Sequence, residues 1–349
     1  MSRKIKIENF DPNGVGVHNG RFIGLPFDQT EAQVVLIQAP WDVTVSSRSG
    51  TCLGPSNILE SSYQLDLFDD FVEDAWKLGI YMEPSNEKLL DHNSHFRKIS
   101  EIYIEALESG QEISSELVQV RQKINTACKD MLLELETKCS SILNNNQLFG
   151  IIGGDHSVAL AGILAITKRY KHFGILQIDA HMDLRKAYEG FEYSHASIFY
   201  NAMQLPEIEK LVQVGIRDYC EEEVLFAELE KDRISVYTDT KMKEAIFEGS
   251  NFDQLCTEII KQLPQNVYIS FDIDGLQPNY CPNTGTPVPS GLSFAEAKYL
   301  IKKLVLSKRK IIGFDLCEVA GSGHSYDGNV GARMAYTLSN YMGVSQGLV

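Results

Sequence analysis

Seven short runs of β-branched and aliphatic residues recur along the 349-residue chain: Gln33 to Gln38, Leu148 to Ile152, Phe173 to Ile178, Leu211 to Gly215, Ile234 to Tyr237, Val267 to Phe271 and Lys310 to Phe314. They are nearly continuous in apolar residues rather than alternating, the pattern of parallel strands covered on both faces. Segments of helical period separate them. Ser157 is placed to cap a helix from Val158 to about Tyr170, and Asn251-x-x-Gln254 opens another. Ser293-x-x-Glu296 is a capping-box pattern for a helix running to about Leu306. Ser114 to Asn146 reads as one long amphipathic helix or two joined ones, and Glu83 to Gly110, with weaker periodicity, is expected to pack peripherally. Repeated strand, loop and helix units predict an α/β fold with a parallel sheet. Without a Pro- or Gly-rich linker, a repeat or a low-complexity tract, the chain reads as one domain over residues 31–349 behind an N-terminal extension, 1–30.

A net charge of −15 argues against a nucleic-acid partner, because phosphate-backbone binders present a basic patch. It suits a cationic substrate, since an acidic surface concentrates cations, and it also keeps a protein soluble. The seven cysteines are scattered, odd in number and contain no C-x-x-C pair, so a disulfide framework or a zinc knuckle is not expected. The segment MSRKIKIENFDPNGVG has no apolar core of a signal peptide, and no run approaches the ~18 apolar residues that span a bilayer. A soluble cytoplasmic protein without a membrane partner is the expectation.

Three polar clusters stand where strands should end. Gly153-Gly154-Asp155-His156-Ser157 follows Ile152, Asp179-Ala180-His181-Met182-Asp183 follows Ile178, and Ser270-Phe271-Asp272-Ile273-Asp274-Gly275 finishes the run that begins near Val267. Ligands of open α/β sheets bind outside the carboxyl ends of the strands, so the clusters can converge on one crevice. In an extended backbone, Asp179, His181 and Asp183 at i, i+2 and i+4 project to one side, and Asp272 and Asp274 repeat the spacing. Such a concentration of carboxylates and imidazoles is costly to desolvate unless cations neutralise it. With His156 the set holds two imidazoles and four carboxylates, too many ligands for one tetrahedral zinc and too rich in oxygen for a soft metal. Two divalent ions sharing bridging carboxylates fit the count. Mn²⁺ suits the mixed oxygen and imidazole donors, and Ni²⁺ or Co²⁺ would also accept them.

Together these clusters resemble the metal-binding signatures of the ureohydrolase family, which includes arginases, agmatinases, guanidino-acid hydrolases and formiminoglutamases. The resemblance runs from about Val34 to Tyr341. It takes in Trp41-Asp42 through Arg48-Ser49-Gly50 and Gly54-Pro55, and the long motif Ser270 to Pro278 followed by Thr284-Gly285-Thr286-Pro287. Gln277 departs from the pattern, standing where the family commonly has Asp at a position that is not a metal ligand. The resemblance implies a three-layer α/β/α arrangement with a mostly parallel central sheet. It implies that His156, Asp179, Asp183 and Asp272 bind one metal and Asp179, His181, Asp272 and Asp274 the other, with Asp179 and Asp272 bridging. Glu318 matches the carboxylate that grips the guanidinium, as a bidentate acceptor of its planar fork. His195, in Tyr193-Ser194-His195-Ala196-Ser197, matches the proton-shuttling histidine, and Asp183 is expected to stabilise the intermediate and relay a proton to the departing amine. Relatives form trimers and hexamers, so a homo-oligomer is expected.

The implied reaction is hydrolysis of a guanidino C–N bond with release of urea. The run Asp183-Leu184-Arg185, Tyr188-Glu189-Gly190 and Tyr193-Ser194-His195-Ala196 resembles the agmatinase branch, so agmatine is the leading substrate, with putrescine and urea as products. Arginine, guanidinobutyrate and guanidine stay open as alternatives. A non-catalytic metal-binding homologue is the reading from a different class. Loss of ligands would signal it, and none of the six is lost. A dinucleotide-dependent enzyme is disfavoured, because no G-x-G-x-x-G follows the first strand.

Overall fold

The computed structural model describes residues 2–322 and 325–349. Its strands are β1 (Val34–Ala39), β2 (Ile80–Met82), β3 (Leu148–Gly153), β4 (Phe173–Ile178), β5 (Ile208–Ile216), β6 (Ile234–Thr238), β7 (Asn266–Asp272) and β8 (Lys310–Cys317). They form one eight-stranded sheet in the order β2-β1-β3-β8-β7-β4-β5-β6, with every pairing parallel. All seven expected strands are present. The eighth, β2, is a three-residue edge strand paired to Val34–Leu36, too short to leave a periodic signal.

Continuous apolar strands arise because the sheet is covered on both faces. Val34 and Leu36 of β1 and Leu176 and Ile178 of β4 enter one buried cluster. Val35, Ile37, Phe173 and Ile175, one residue out of phase, enter the other. Each such side chain, fully withdrawn from water, contributes about 1.5–3 kcal/mol. The result is the three-layer α/β/α arrangement.

The helices largely follow the sequence. The long segment is one 30-residue helix, Ser115–Asn144, and Ser114 accepts a hydrogen bond from Leu117 N at its start. The segment expected at the periphery is a 22-residue helix, Glu87–Glu108, and it does more than cover the surface. Its buried Asn93 exchanges hydrogen bonds with Asp42, accepting from the backbone N–H at 2.7 Å and donating to the carboxylate at 2.8 Å. Asp42 in turn accepts from Gly50 N and Cys52 N, which folds residues 42–52 over the sheet's carboxyl edge.

After β3, the chain does not enter its helix at Ser157 as expected. Asp155 caps a short 3₁₀ turn, His156–Val158, by accepting from Ser157 N at 3.0 Å, and the α-helix proper is Ala159–Arg169. Asp155 precedes Ser157 by two residues and is the stronger local acceptor, so it takes the cap. The capping boxes at Asn251/Gln254 and Ser293/Glu296 form as the sequence indicates.

Candidate metal centre and active site

The four adjacent strands β3, β8, β7 and β4 end side by side, and each delivers a polar residue to the same edge. His156 opens the turn after β3, Glu318 follows β8, Asp272 ends β7, and Asp179 follows β4. Because the chain passes from β3 to β4 across two intervening strands, the connections leave a crevice at this edge.

Two donor groups meet there. His156 Nδ1 lies 3.1 Å from Asp179 Oδ2, 3.0 Å from Asp183 Oδ2 and 3.4 Å from Asp272 Oδ2. His181 Nδ1 lies 3.5 Å from Asp179 Oδ1 and 3.1 Å from Asp274 Oδ2. Asp179 therefore gives one oxygen to each group. Donor atoms of His156, Asp179 and Asp272, and of Asp179, His181 and Asp274, fall within 4.8 Å of one another, the reach of a shared cation.

The local geometry differs from the expected extended strand. Asp183 has a left-handed backbone, φ 54°, and folds back towards His156. Asp274 sits in a 3₁₀ turn, Ile273–Gly275, whose first donor, Asp274 N, bonds to Asp272 Oδ1 at 2.8 Å. Turns, not pleating, bring these carboxylates to one side. Gly275 allows this, since a Cβ there would lie 2.7 Å from Asp179 N and push the two ligand segments apart.

Electrostatically, the site is a crowd of buried anions. Burial, then Asp274 and Asp179, push Asp272 well above the usual carboxylate range. Burial and the charge of Asp179 push Asp183 up to about 7. Burial, with Asp155, raises Glu318. Burial works against the charged form of His156, but Asp179, Asp183 and Asp315 outweigh it and hold the imidazole well above its ordinary value. Carboxylates crowded round two imidazoles are a donor set whose charged forms divalent ions would stabilise.

Behind His156 lies a relay absent from the sequence reading. His156 Nε2 is 2.9 Å from Ser270 Oγ, which donates to Asp315 Oδ1 at 2.9 Å. Since the hydroxyl proton of Ser270 goes to Asp315, Ser270 accepts from Nε2–H, and Nδ1 is the nitrogen turned to the carboxylates, where a cation would meet its lone pair. Asp315, wholly buried, is a charged residue inside the apolar run of β8, and that is the signal that could have singled it out.

Glu318 also has a left-handed backbone, φ 64°. Its Oε1 accepts from His156 N at 2.9 Å and its carbonyl accepts from Thr284 Oγ1 at 2.8 Å. A cavity of about 140 Å³ is bordered by His181, Asp183, His195, Asp218 and Thr286. His195 stands edge-on to Tyr188, with ring centres 6.0 Å apart. Burial, with the charges of His181 and His156, pushes His195 down to about 3, so its imidazole is neutral. Its Nδ1 is buried without a hydrogen bond among the described residues. All six expected ligands, Glu318 and His195 therefore gather at one carboxyl edge.

Comparison with known proteins gives the family and the fold. Residues 32–342 match the model of the arginase family. The chain is 29% identical to an N(1)-aminopropylagmatine ureohydrolase of Thermus thermophilus, covering 91% of this chain and 92% of that protein. It is 28% identical to an agmatinase of Halalkalibacterium halodurans, over 83% and 84% of the two chains. The crystal structure of proclavaminate amidino hydrolase from Streptomyces clavuligerus superposes with a TM-score of 0.71 at 22% identity, over 95% of this chain and 100% of that one. Agmatine ureohydrolase of Thermoplasma volcanium gives 0.69 at 20% identity, over 99% of each. These likenesses establish a shared fold, and the family match spans nearly the whole chain: the protein belongs to the arginase family of ureohydrolases, near its agmatinase branch.

Proposed function

We propose that this protein is a binuclear metal hydrolase that cleaves a guanidino group to release urea, with agmatine giving putrescine and urea as the leading reaction. The observation that carries the reading is Asp179, whose two oxygens serve two separate histidine-centred donor groups. His156, Asp179, Asp183 and Asp272 would hold one ion, and Asp179, His181, Asp272 and Asp274 the other. Mn²⁺ suits these donors best, with Ni²⁺ and Co²⁺ also acceptable. When bound, such a pair supplies Lewis acidity and a nucleophile deprotonated at neutral pH.

The protein's own groups do the rest. Glu318 accepts N–H bonds from the planar guanidinium and holds its carbon facing the metal ligands. Among the described residues the backbone engages Oε1 of Glu318, at His156 N, which leaves Oε2 for substrate. Asp183, at the cavity wall, passes a proton to the departing amine. His195, at the same cavity wall, exchanges protons between the site and solvent as general acid or base.

A second substrate reading has a specific footing. A neighbouring cavity of about 660 Å³ shares Arg185 and Tyr188 with the catalytic one and carries three carboxylates, Glu189, Glu192 and Glu222, beside Lys186. Carboxylates beyond the catalytic cavity would suit a guanidino amine with a longer cationic tail, such as the substrate named for the Thermus relative. Urea release from agmatine, N(1)-aminopropylagmatine, arginine, guanidinobutyrate and guanidine with Mn²⁺ present tests both readings. Agmatine or its aminopropyl derivative should give the highest kcat/KM. No urea from any of the five would replace the hydrolase reading with that of a non-catalytic homologue.

A further inference from the structure

Arg217 directly follows β5, and its guanidinium is surrounded by carbonyl oxygens. Nη2 donates to Asp274 O at 2.7 Å, Val288 O at 3.0 Å and Leu276 O at 3.1 Å. Nη1 reaches Gly215 O at 3.1 Å and Gly275 O at 3.5 Å, and Nε reaches Pro289 O at 3.1 Å and Val288 O at 3.3 Å. The residue's own N–H donates to Ala180 O at 2.7 Å, in the segment between Asp179 and His181. No carboxylate pairs with Arg217 among the described residues. So many carbonyl dipoles pointing to one place would repel each other without a cation between them. The socket is also shaped for the group: Gly291 has φ +102°, and a Cβ there would lie 2.8 Å from Nη2.

We propose that Arg217 is a positioning residue for the metal centre, fixing the Ile273–Gly275 turn against residues 286–291 before any ion binds. This rests on reading Asp274 as a ligand. The clamp acts on one arm of the centre. It grips the Asp274 carbonyl, holds the turn beside Ala180, and keeps Thr286 Oγ1 3.4 Å from Asp274 Oδ2. Its hydrogen bonds do not extend to His156 or Asp183. A lysine would bring the charge but not the planar fork, and could satisfy at most three of these acceptors.

The test is Mn²⁺ binding by the full chain, followed by calorimetric titration of wild type, Arg217→Lys, Arg217→Ala and Gly291→Ala. In the arginine variants one site should keep its wild-type affinity while the other weakens by ~10-fold or more, the range seen when groups that orient ligands are lost. Millimolar guanidinium should restore Arg217→Ala towards wild type by refilling the socket, and should leave Arg217→Lys unchanged. Gly291→Ala, which crowds the guanidinium without removing it, should show the same one-sided loss in weaker form, and it stands in if the arginine variants fail to fold. Equal weakening of both sites, or no weakening of either, would overturn the proposal. Wild type binding fewer than two ions would instead overturn the binuclear reading on which it rests, and the two failures are thereby told apart.

Discussion

Glu318 Oε1 accepts a 2.9 Å hydrogen bond from the backbone N–H of His156. The carboxylate proposed to grip the substrate is thereby locked to the residue proposed to hold a metal, across the ends of β8 and β3. Substrate and ions are set in one frame, and the first expectation concerns that frame.

Glu318→Gln keeps an oxygen to accept from His156 N but loses the negative charge offered to a guanidinium. Metal content should be unchanged, while kcat/KM falls at least about 100-fold, the scale of two weakened charge-assisted bonds. Metal analysis alongside steady-state kinetics checks this. A variant that loses its metal along with its activity would assign Glu318 to the ligand set instead.

The Ser270–Asp315 relay fixes which nitrogen of His156 faces the carboxylates. Ser270→Ala breaks the relay and should weaken Mn²⁺ binding by about 10–100-fold. Asp315→Asn leaves an oxygen for Ser270 to donate to, so it should bind Mn²⁺ more tightly than Ser270→Ala does. Equilibrium dialysis at buffered free Mn²⁺ measures both, and the reverse order would contradict the tautomer assignment.

Stability should respond to metal removal, because the ions replace repulsion among Asp179, Asp183, Asp272 and Asp274. Chelation should lower Tm, and Mn²⁺ restored to 100 times its Kd should return about 2.7 kcal/mol for each site filled. Differential scanning calorimetry reads the change, and an unchanged Tm would mean that the carboxylates tolerate each other unaided.

Glu189 offers a test of electrostatics away from the ligands. Burial, with the neighbouring charge of Glu108, pushes it up to about 7 from an ordinary 4.5, and its Oε2 is buried without a hydrogen bond among the described residues. With the folded value above the unfolded one, its favourable contribution is full below about pH 4.5 and is lost as pH rises through 7. Glu189→Gln should therefore melt at a higher temperature than wild type at pH 8, with the gap closing towards pH 4.5. A gap that does not change with pH would show that Glu189 does not titrate in this range.

The sequence makes plain whatever has a local signature. The seven longer strands show because burial on two faces disfavours polar residues within them, and the ligand clusters show because they interrupt those runs at the ends. Asp272 and Asp274 are legible through their spacing, although a 3₁₀ turn, not a pleat, brings them together. Left-handed residues such as Asp183 and Glu318 carry no side-chain signal of their backbone state. The role of Asn93 depends on a helix folding back over Asp42, 51 positions away, and its own neighbours give no hint of it. Arg217 is the extreme case. Most of its side-chain acceptors come from segments 57 to 72 residues further along, and nothing near it in the sequence announces them.

Two ions are proposed to work together on one guanidino substrate. Urea release from agmatine, followed as Mn²⁺ is added stepwise to metal-free protein with bound metal counted at each step, tests it most directly. Activity should rise to its maximum as occupancy reaches two ions per chain, in line with two donor groups sharing Asp179. Full turnover with one ion bound, or with none, would contradict it.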